Sequence, residues 1–129
     1  MRTMIALMVA LATLVTASGM AAAQTIKMGA ALALTGPFSK EGKLVKDGYD
    51  FWLAEVNKRG GIMLDGKRRQ VQIVFYDDES NAQTSARLTE KLITEDKVQF
   101  LLGPFSSPIT MQTSVIGEKS LCGSKGKRA

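Results

Sequence analysis

Three short apolar segments, each followed by a segment of helical periodicity, constrain the fold of this chain more than any other feature. They span residues 25–34, 71–76 and 98–102, and their largely apolar composition predicts buried strands. Helices placed between such strands are typical of a parallel sheet joined by right-handed crossovers. We therefore predict an α/β fold with a parallel sheet. Three strands are fewer than such a sheet usually contains, so the sheet is predicted to be incomplete.

The first helix is predicted over residues 43–58. Its apolar side chains share one stripe, formed by Val45, Tyr49, Trp52 and Val56. We expect the aromatic rings of Tyr49 and Trp52, together with that of Phe75 on the second strand, to pack in the core.

Turn and capping residues mark the other elements. The Asp-Gly pair at residues 65–66 predicts a small hairpin before the second main strand. Asn81 is the predicted N-cap of a second helix that runs to about residue 96. Pro108 is well placed in the first turn of a third helix.

A loop with the sequence Gly-Pro-Phe-Ser-Ser, residues 103–107, joins the third strand to the third helix. A helix N-terminus presents unpaired N–H groups and the positive end of the helix dipole, which suit a carboxylate or a phosphate. In open α/β sheets, ligands collect at the carboxyl ends of the strands. The loop therefore predicts capture of a small anionic solute without chemistry, although capping of the helix alone would use the same serines.

Residues 1–23 have the pattern of a signal peptide. Arg2 supplies the positive charge, residues 4–15 are apolar and uncharged, and the alanines at 21–23 offer a cleavage site near Ala23. A membrane anchor is the alternative, but the apolar stretch is short for a bilayer span. We predict export to the periplasm, with no membrane insertion after cleavage.

The residues that most enzymes and metal sites need are scarce. Histidine, the commonest general base and metal ligand, is absent. The single cysteine, Cys122, forms no internal disulfide and argues against a zinc site. Nucleophile-elbow, Walker and dinucleotide-binding motifs are also absent. We predict a protein that is not an enzyme, with no catalytic residue, no metal and no cofactor.

Two charged features have simple interpretations. The net charge of +5 is concentrated at the chain ends, because residues 24–119 carry 13 Lys and Arg against 12 Asp and Glu. A nucleic-acid partner is therefore not predicted.

The acidic run Asp77, Asp78 and Glu79 could form a metal or phosphoryl-acceptor site, but one run supplies too few converging oxygens. We interpret it as a solvated turn.

Five motifs in a fixed order resemble one family. They are TGPFSKEG, NKRGGI, VFYDDES, LITEDKV and FLLGPFSS. Together they are similar to the type I periplasmic solute-binding proteins of ABC importers, in the branched-chain amino acid and amide-binding branch. The resemblance covers residues 25–119. It implies the three-layer α/β architecture of that family, of which this chain would be an incomplete first lobe.

The resemblance also implies site residues. Ser107 matches the hydroxyl that binds the ligand's carboxylate, and Ser106 is its neighbour. Phe38 and Phe105 lie in the two loops that would line the cleft, where we expect them to contact the ligand. Glu41 falls where some relatives place an aromatic side chain over the ligand, so the identity of the solute stays open.

The implied function is that of the substrate-binding component of an amino acid ABC transporter, for a branched-chain amino acid or amide. Its partners would be a small amino acid or carboxylate ligand and, for the intact form only, an inner-membrane permease. Residues 24–119 would form part of the N-terminal lobe, and residues 120–129 an atypical tail that we interpret as frameshifted sequence. Two alternatives are a non-functional gene fragment and a ligand-sensing domain of the same fold.

Overall fold

The computed structural model describes the backbone of residues 25–125 and the side chains of residues 25–120. The predicted signal peptide and its cleavage site near Ala23 lie outside the described residues, as does the end of the predicted tail. In chain order the described elements are β1 (Ile26–Leu32), α1 (Ser39–Lys58), β2 (Ile62–Leu64), β3 (Lys67–Arg69), β4 (Val71–Asp77), α2 (Ala82–Thr94), β5 (Phe100–Leu101) and α3 (Ser107–Lys125).

A parallel sheet forms the centre of the fold, in the order β4-β1-β5. β1 pairs with β4 along its whole length, from Ile26 opposite Val71, and with β5 where Met28 lies opposite Phe100. The predicted α/β fold with an incomplete parallel sheet is therefore confirmed. β5 is shorter than predicted, with two residues in place of five.

Helices cover both faces of this sheet. Because side chains alternate along a strand, Ile26 and Met28 face one side of β1 and Gly29 faces the other. On the first side, Ile26 and Met28 form a core cluster against which Tyr49 of α1 packs. On the second side, the backbone at Gly29 lies directly under Leu92 of α2, and α3 packs against α2. The result is three layers with β1 in the middle.

The local signals predicted most of the element boundaries. The Asn81 side chain caps α2 by accepting hydrogen bonds from the backbone N–H groups of Gln83 and Thr84, at 2.9 and 3.0 Å. β2 and β3 form the predicted antiparallel hairpin, and Asp65 and Gly66 both have the positive φ of its turn. α1 differs, because it begins at Ser39 and not at residue 43.

The three aromatic side chains that were predicted to pack in the core differ in burial. Tyr49 and Phe75 pack against the core cluster as predicted. The core prediction is wrong for Trp52, which is 38% exposed. Trp52 lines an open apolar groove between α1 and Leu102. β5 is the last strand of the described sheet on this side, so its outer edge has no partner strand among the described residues. The apolar stripe of α1 is thus wider than the part of the sheet that lies beneath it.

None of the helices within residues 25–125 combines the length and the apolar character that a membrane span requires.

Candidate functional site

The carboxyl ends of the three parallel strands bring three connections to one edge of the sheet. They are residues 33–38 after β1, residues 78–81 after β4 and residues 102–106 after β5. Since β1 lies between the other two strands, its loop is the neighbour of both. This edge is where ligands bind in open α/β sheets. The five residues predicted to form the site all lie on two of these connections or in the helical turns that follow them.

The Gly-Pro-Phe-Ser-Ser segment, residues 103–107 and called the serine loop from here on, ends at the first residue of α3. Ser107 is the first residue of the helix, and its side chain is exposed. The backbone carbonyl of Ser106 accepts hydrogen bonds from the N–H and the hydroxyl of Thr110, both at 2.9 Å. This is the carbonyl position of an N-cap residue. At the other end of the loop, the Tyr49 hydroxyl donates to the Gly103 carbonyl at 2.8 Å. Ser107 therefore lies at a helix N-terminus with its side chain exposed to solvent.

Two exposed phenylalanine side chains lie in the connections at this edge of the sheet. Phe105 lies within the serine loop and is 54% exposed, while Phe38 precedes the first residue of α1 and is 40% exposed. Glu41 is half-buried in the first turn of α1, where its charge complements the helix dipole. The rings supply apolar surface and Glu41 supplies a negative charge at the same edge as the serines.

Side chains that no sequence signal marked as site residues join the loop after β1, residues 34–38, to the end of β4. One Asp77 oxygen accepts the backbone N–H groups of Leu34 and Thr35, at 3.0 and 3.1 Å, and the other accepts the Thr35 hydroxyl at 2.8 Å. The Ser80 hydroxyl donates to the Thr35 carbonyl at 2.7 Å and accepts the Phe38 N–H at 3.1 Å. The interpretation of the acidic run as a solvated turn misses this role of Asp77.

Desolvation alone would raise the pKa of Asp77, but hydrogen bonds outweigh it. The N–H groups of Glu79, Thr35 and Leu34 and the Thr35 hydroxyl all donate to this carboxylate and hold its pKa below the usual value. Asp77 is therefore a charged acceptor, and its hydrogen bonds are stronger than those of a neutral group.

Asp78 is fully buried, so the solvated-turn interpretation is wrong for it. Its Oδ1 accepts the Ser80 N–H at 2.9 Å. Burial raises the pKa of Asp78, and the nearby charge of Asp77 raises it further. The Ser80 N–H and the buried Ser85 hydroxyl act in the opposite direction without cancelling the rise. Among the described residues, neither Asp78 Oδ2 nor the Ser85 hydroxyl completes a hydrogen bond. The turn thus pairs a half-buried, ionised carboxylate with a buried carboxyl whose ionisation is costly.

We expect Asp78→Asn to stabilise the protein, and the gain to grow with pH. Below the ordinary pKa of aspartate, Asp78 is protonated in both the folded and the unfolded chain. As the pH rises through its raised folded-state pKa, the buried group ionises and stability is lost. Asparagine stays neutral and keeps an oxygen for the Ser80 N–H, so the gain at pH 7 is on the order of 1 kcal/mol.

Urea unfolding of the full chain at pH 4 and pH 7 measures this effect, with Asp47→Asn on the exposed side of α1 as the matched control. A variant that is less stable than the parent protein at pH 7 would show that the ionised carboxylate is favourable in its buried site.

Comparisons with known proteins show the family and the fold of this chain. Residues 25–120 match the sequence profile described as periplasmic binding protein. The chain belongs to this family. It is 31% identical over 101 residues to the Leu/Ile/Val-binding protein of Escherichia coli (strain K12), an alignment that covers 78% of this chain and 26% of that protein. It is 30% identical over 108 residues to Leu/Ile/Val-binding protein homolog 6 of Brucella abortus (strain 2308), covering 83% of this chain and 26% of that protein.

The periplasmic binding protein fold is equally clear from solved structures. The branched-chain amino acid transporter substrate binding protein LivJ from Streptococcus pneumoniae, in complex with isoleucine, superposes with a TM-score of 0.69 at 30% identity. That superposition covers 75% of this chain and 27% of LivJ. The predicted resemblance to the type I, branched-chain amino acid branch is confirmed, and these relatives are binding proteins. The chain spans about a quarter of the length of the relatives it matches.

Proposed function

We propose that this chain forms part of the substrate-binding component of an ABC importer, and that its serine loop holds the carboxylate of an amino acid. The observation that carries the proposal is the position of Ser107, exposed at the N-terminus of α3 and at the carboxyl edge of a parallel sheet. The E. coli relative is a Leu/Ile/Val-binding protein and the S. pneumoniae structure contains isoleucine. A branched-chain amino acid is therefore the proposed ligand class.

The chemistry of binding follows from the geometry. The Ser107 hydroxyl and the free N–H groups of the first turn of α3 donate to the carboxylate, helped by the positive end of the helix dipole. Ser106 precedes it at the N-cap position. The rings of Phe38 and Phe105 offer apolar surface to an aliphatic side chain. Glu41 brings a negative charge that favours a ligand with an ammonium group. Binding requires no bond to be made or broken, so no catalytic group is needed.

The proposal also covers the cellular location of the protein and the division of the chain into segments. Residues 1–23 would be a signal peptide cleaved near Ala23, which places the protein in the periplasm, as its family implies. Residues 24–119 would form part of the N-terminal lobe, and an inner-membrane permease would recognise the two-lobed, ligand-closed form. The proposed boundary between this lobe and a tail at residues 120–129 falls inside a helix, because α3 continues without interruption from Ser107 to Lys125.

Ser107→Ala is expected to weaken binding of L-leucine, L-isoleucine or L-valine to the full chain by roughly tenfold to a hundredfold. That range corresponds to loss of one hydrogen bond to a charged group, about 1.5 to 3 kcal/mol. Isothermal titration calorimetry measures the affinity. Ser114→Ala is the matched control, because Ser114 lies on the same helix and its hydroxyl donates to the Met111 carbonyl of that helix at 3.0 Å.

Two results would contradict the proposal. Equal affinities for the parent protein and Ser107→Ala would show that this hydroxyl does not hold the ligand. Absence of binding by the parent protein to all three amino acids would favour the alternative of a non-functional gene fragment.

A further inference from the structure

Side chains at the end of β4 accept hydrogen bonds from the backbone of the loop at residues 34–38, and the Leu34 N–H also donates to the Leu32 carbonyl at 2.9 Å. The N–H groups of Leu34, Thr35 and Phe38 all donate to the side chains of Asp77 or Ser80. These partners are 42 or 43 residues away in the sequence. The end of β4 therefore helps to determine the conformation of the loop.

The two connections also touch directly. Gly36 has a φ of +82°, and a Cβ added there would lie 2.6 Å from the Glu79 carbonyl oxygen. Glu79 and Ser80 themselves have positive φ values, 55° and 62°, which non-glycine residues adopt at some cost. Hydrogen bonds from their N–H groups, to Asp77 and Asp78 at 2.9 Å, hold them there. Such strained residues persist where the surrounding structure over-determines them, and they cluster at ligand sites.

We infer that Asp77 and Ser80 are positioning residues for ligand binding: they hold Thr35 and Phe38 in the conformation that presents the Phe38 ring to the ligand. This inference rests on the proposed function, because it assigns the loop to the ligand site. Neither Asp77 nor Ser80 needs to contact the ligand. Their side chains restrict the loop before binding, so that the ligand does not have to order it.

The expected size of the effect follows from a population argument. If only a fraction of the molecules holds the loop in the binding conformation, the apparent dissociation constant rises by the inverse of that fraction. Removing the Ser80 hydroxyl frees the Phe38 N–H and the Thr35 carbonyl together. A loop that then spends about a tenth of its time in the binding conformation gives about tenfold weaker binding.

The test uses the full chain, L-isoleucine as the probe and two substitutions that remove one hydroxyl each. Ser80→Ala keeps the Cβ and removes only the hydroxyl. Thr35→Val removes the hydroxyl that donates to Asp77 at nearly constant shape, and Thr35→Ser restores it. Ser114→Ala and Thr94→Val are the controls, since both lose a hydroxyl bonded to a helix carbonyl outside this loop.

Two measurements are needed, isoleucine affinity by calorimetry and the exchange rate of the Phe38 amide by NMR. We expect Ser80→Ala to weaken binding about tenfold and to speed exchange of the Phe38 amide by a similar factor. Thr35→Val is expected to weaken binding as well, and Thr35→Ser to restore it, while both controls bind like the parent protein.

The outcomes separate this inference from the proposed function. If the parent protein binds isoleucine and both Ser80→Ala and Thr35→Val bind it equally well, the inference is overturned and the proposed function stays intact. This holds even if both variants melt at lower temperature. Failure of the parent protein to bind any branched-chain amino acid would contradict the proposed function and this inference with it. Weakened binding in both variants, with rescue by Thr35→Ser, would support both.

Discussion

Alanine in place of Gly42 is expected to destabilise the protein, whereas alanine in place of Gly48, six residues later in the same helix, is expected to stabilise it. A Cβ at position 42 would overlap the carbonyl group of Ala33 and lie 2.6 Å from its carbon atom. The helix would have to move away from the end of β1. A Cβ at position 48 would meet nothing within 4 Å.

The two effects differ in sign because they have different physical causes. At position 42, overlap with backbone cannot be relieved by a rotamer change, so the expected loss is about 3 kcal/mol. At position 48, alanine lowers the backbone entropy lost on folding, and the expected gain is about 0.5 to 1 kcal/mol. The loss at position 42 also reaches the candidate site, because the Gly42 N–H donates to the Phe38 carbonyl at 2.9 Å.

Urea unfolding of both variants, followed by circular dichroism, measures this difference directly. Each variant is the control of the other, since both make the same chemical change in α1. If both variants gained stability, α1 would not lie against β1 as closely as the structure places it. If both lost stability, a Cβ at position 48 would meet atoms where the structure leaves open space.

Leu92→Ala is the second substitution with a large expected effect, a loss of about 2 to 5 kcal/mol. Leu92 is fully buried and packs directly on the backbone of β1, where a Cβ added to Gly29 would lie 2.8 Å from Leu92 Cδ2. Truncation would leave a cavity between α2 and the central strand. The size of the loss depends on how far α2 can settle into that space.

Leu44→Ala provides the matched control for this cavity. Leu44 lies on α1 and is 64% exposed, so its truncation is expected to change stability by less than about 0.5 kcal/mol. Thermal unfolding of the two variants in parallel tests the comparison. A loss at Leu44 as large as that at Leu92 would mean that the apolar side chains of the groove along α1 are covered in solution.

The features predicted correctly from the sequence are those with a local cause. The Asn81 cap depends on N–H groups two and three residues ahead, and the hairpin depends on the Asp-Gly pair at 65–66. Alternation of apolar strands and helices was enough to predict a parallel sheet. That sheet in turn placed the serine loop and Phe38 at the same edge, because the carboxyl ends of parallel strands share one edge.

Two of the errors, those at Asp78 and Trp52, have a common origin in distant contacts. The burial of Asp78 depends on the packing of α2 behind it, and its sequence neighbours Asp77 and Glu79 gave no sign of it. Trp52 lies on the predicted apolar stripe, yet it is exposed because the sheet beneath α1 ends at β5. In both cases the side chain's environment is made by residues far away in the chain.

The sequence by itself therefore determined the order of the elements, the parallel sheet and the position of the serine loop, since each follows from hydrophobic period, turn residues or strand direction. Only the tertiary structure decided that Asp77 and Ser80 hold the loop after β1, because those hydrogen bonds join residues 42 to 45 positions apart. A sequence pattern records which donors and acceptors exist. Which of them meet depends on the register between β1 and β4, and that register is a property of the folded sheet.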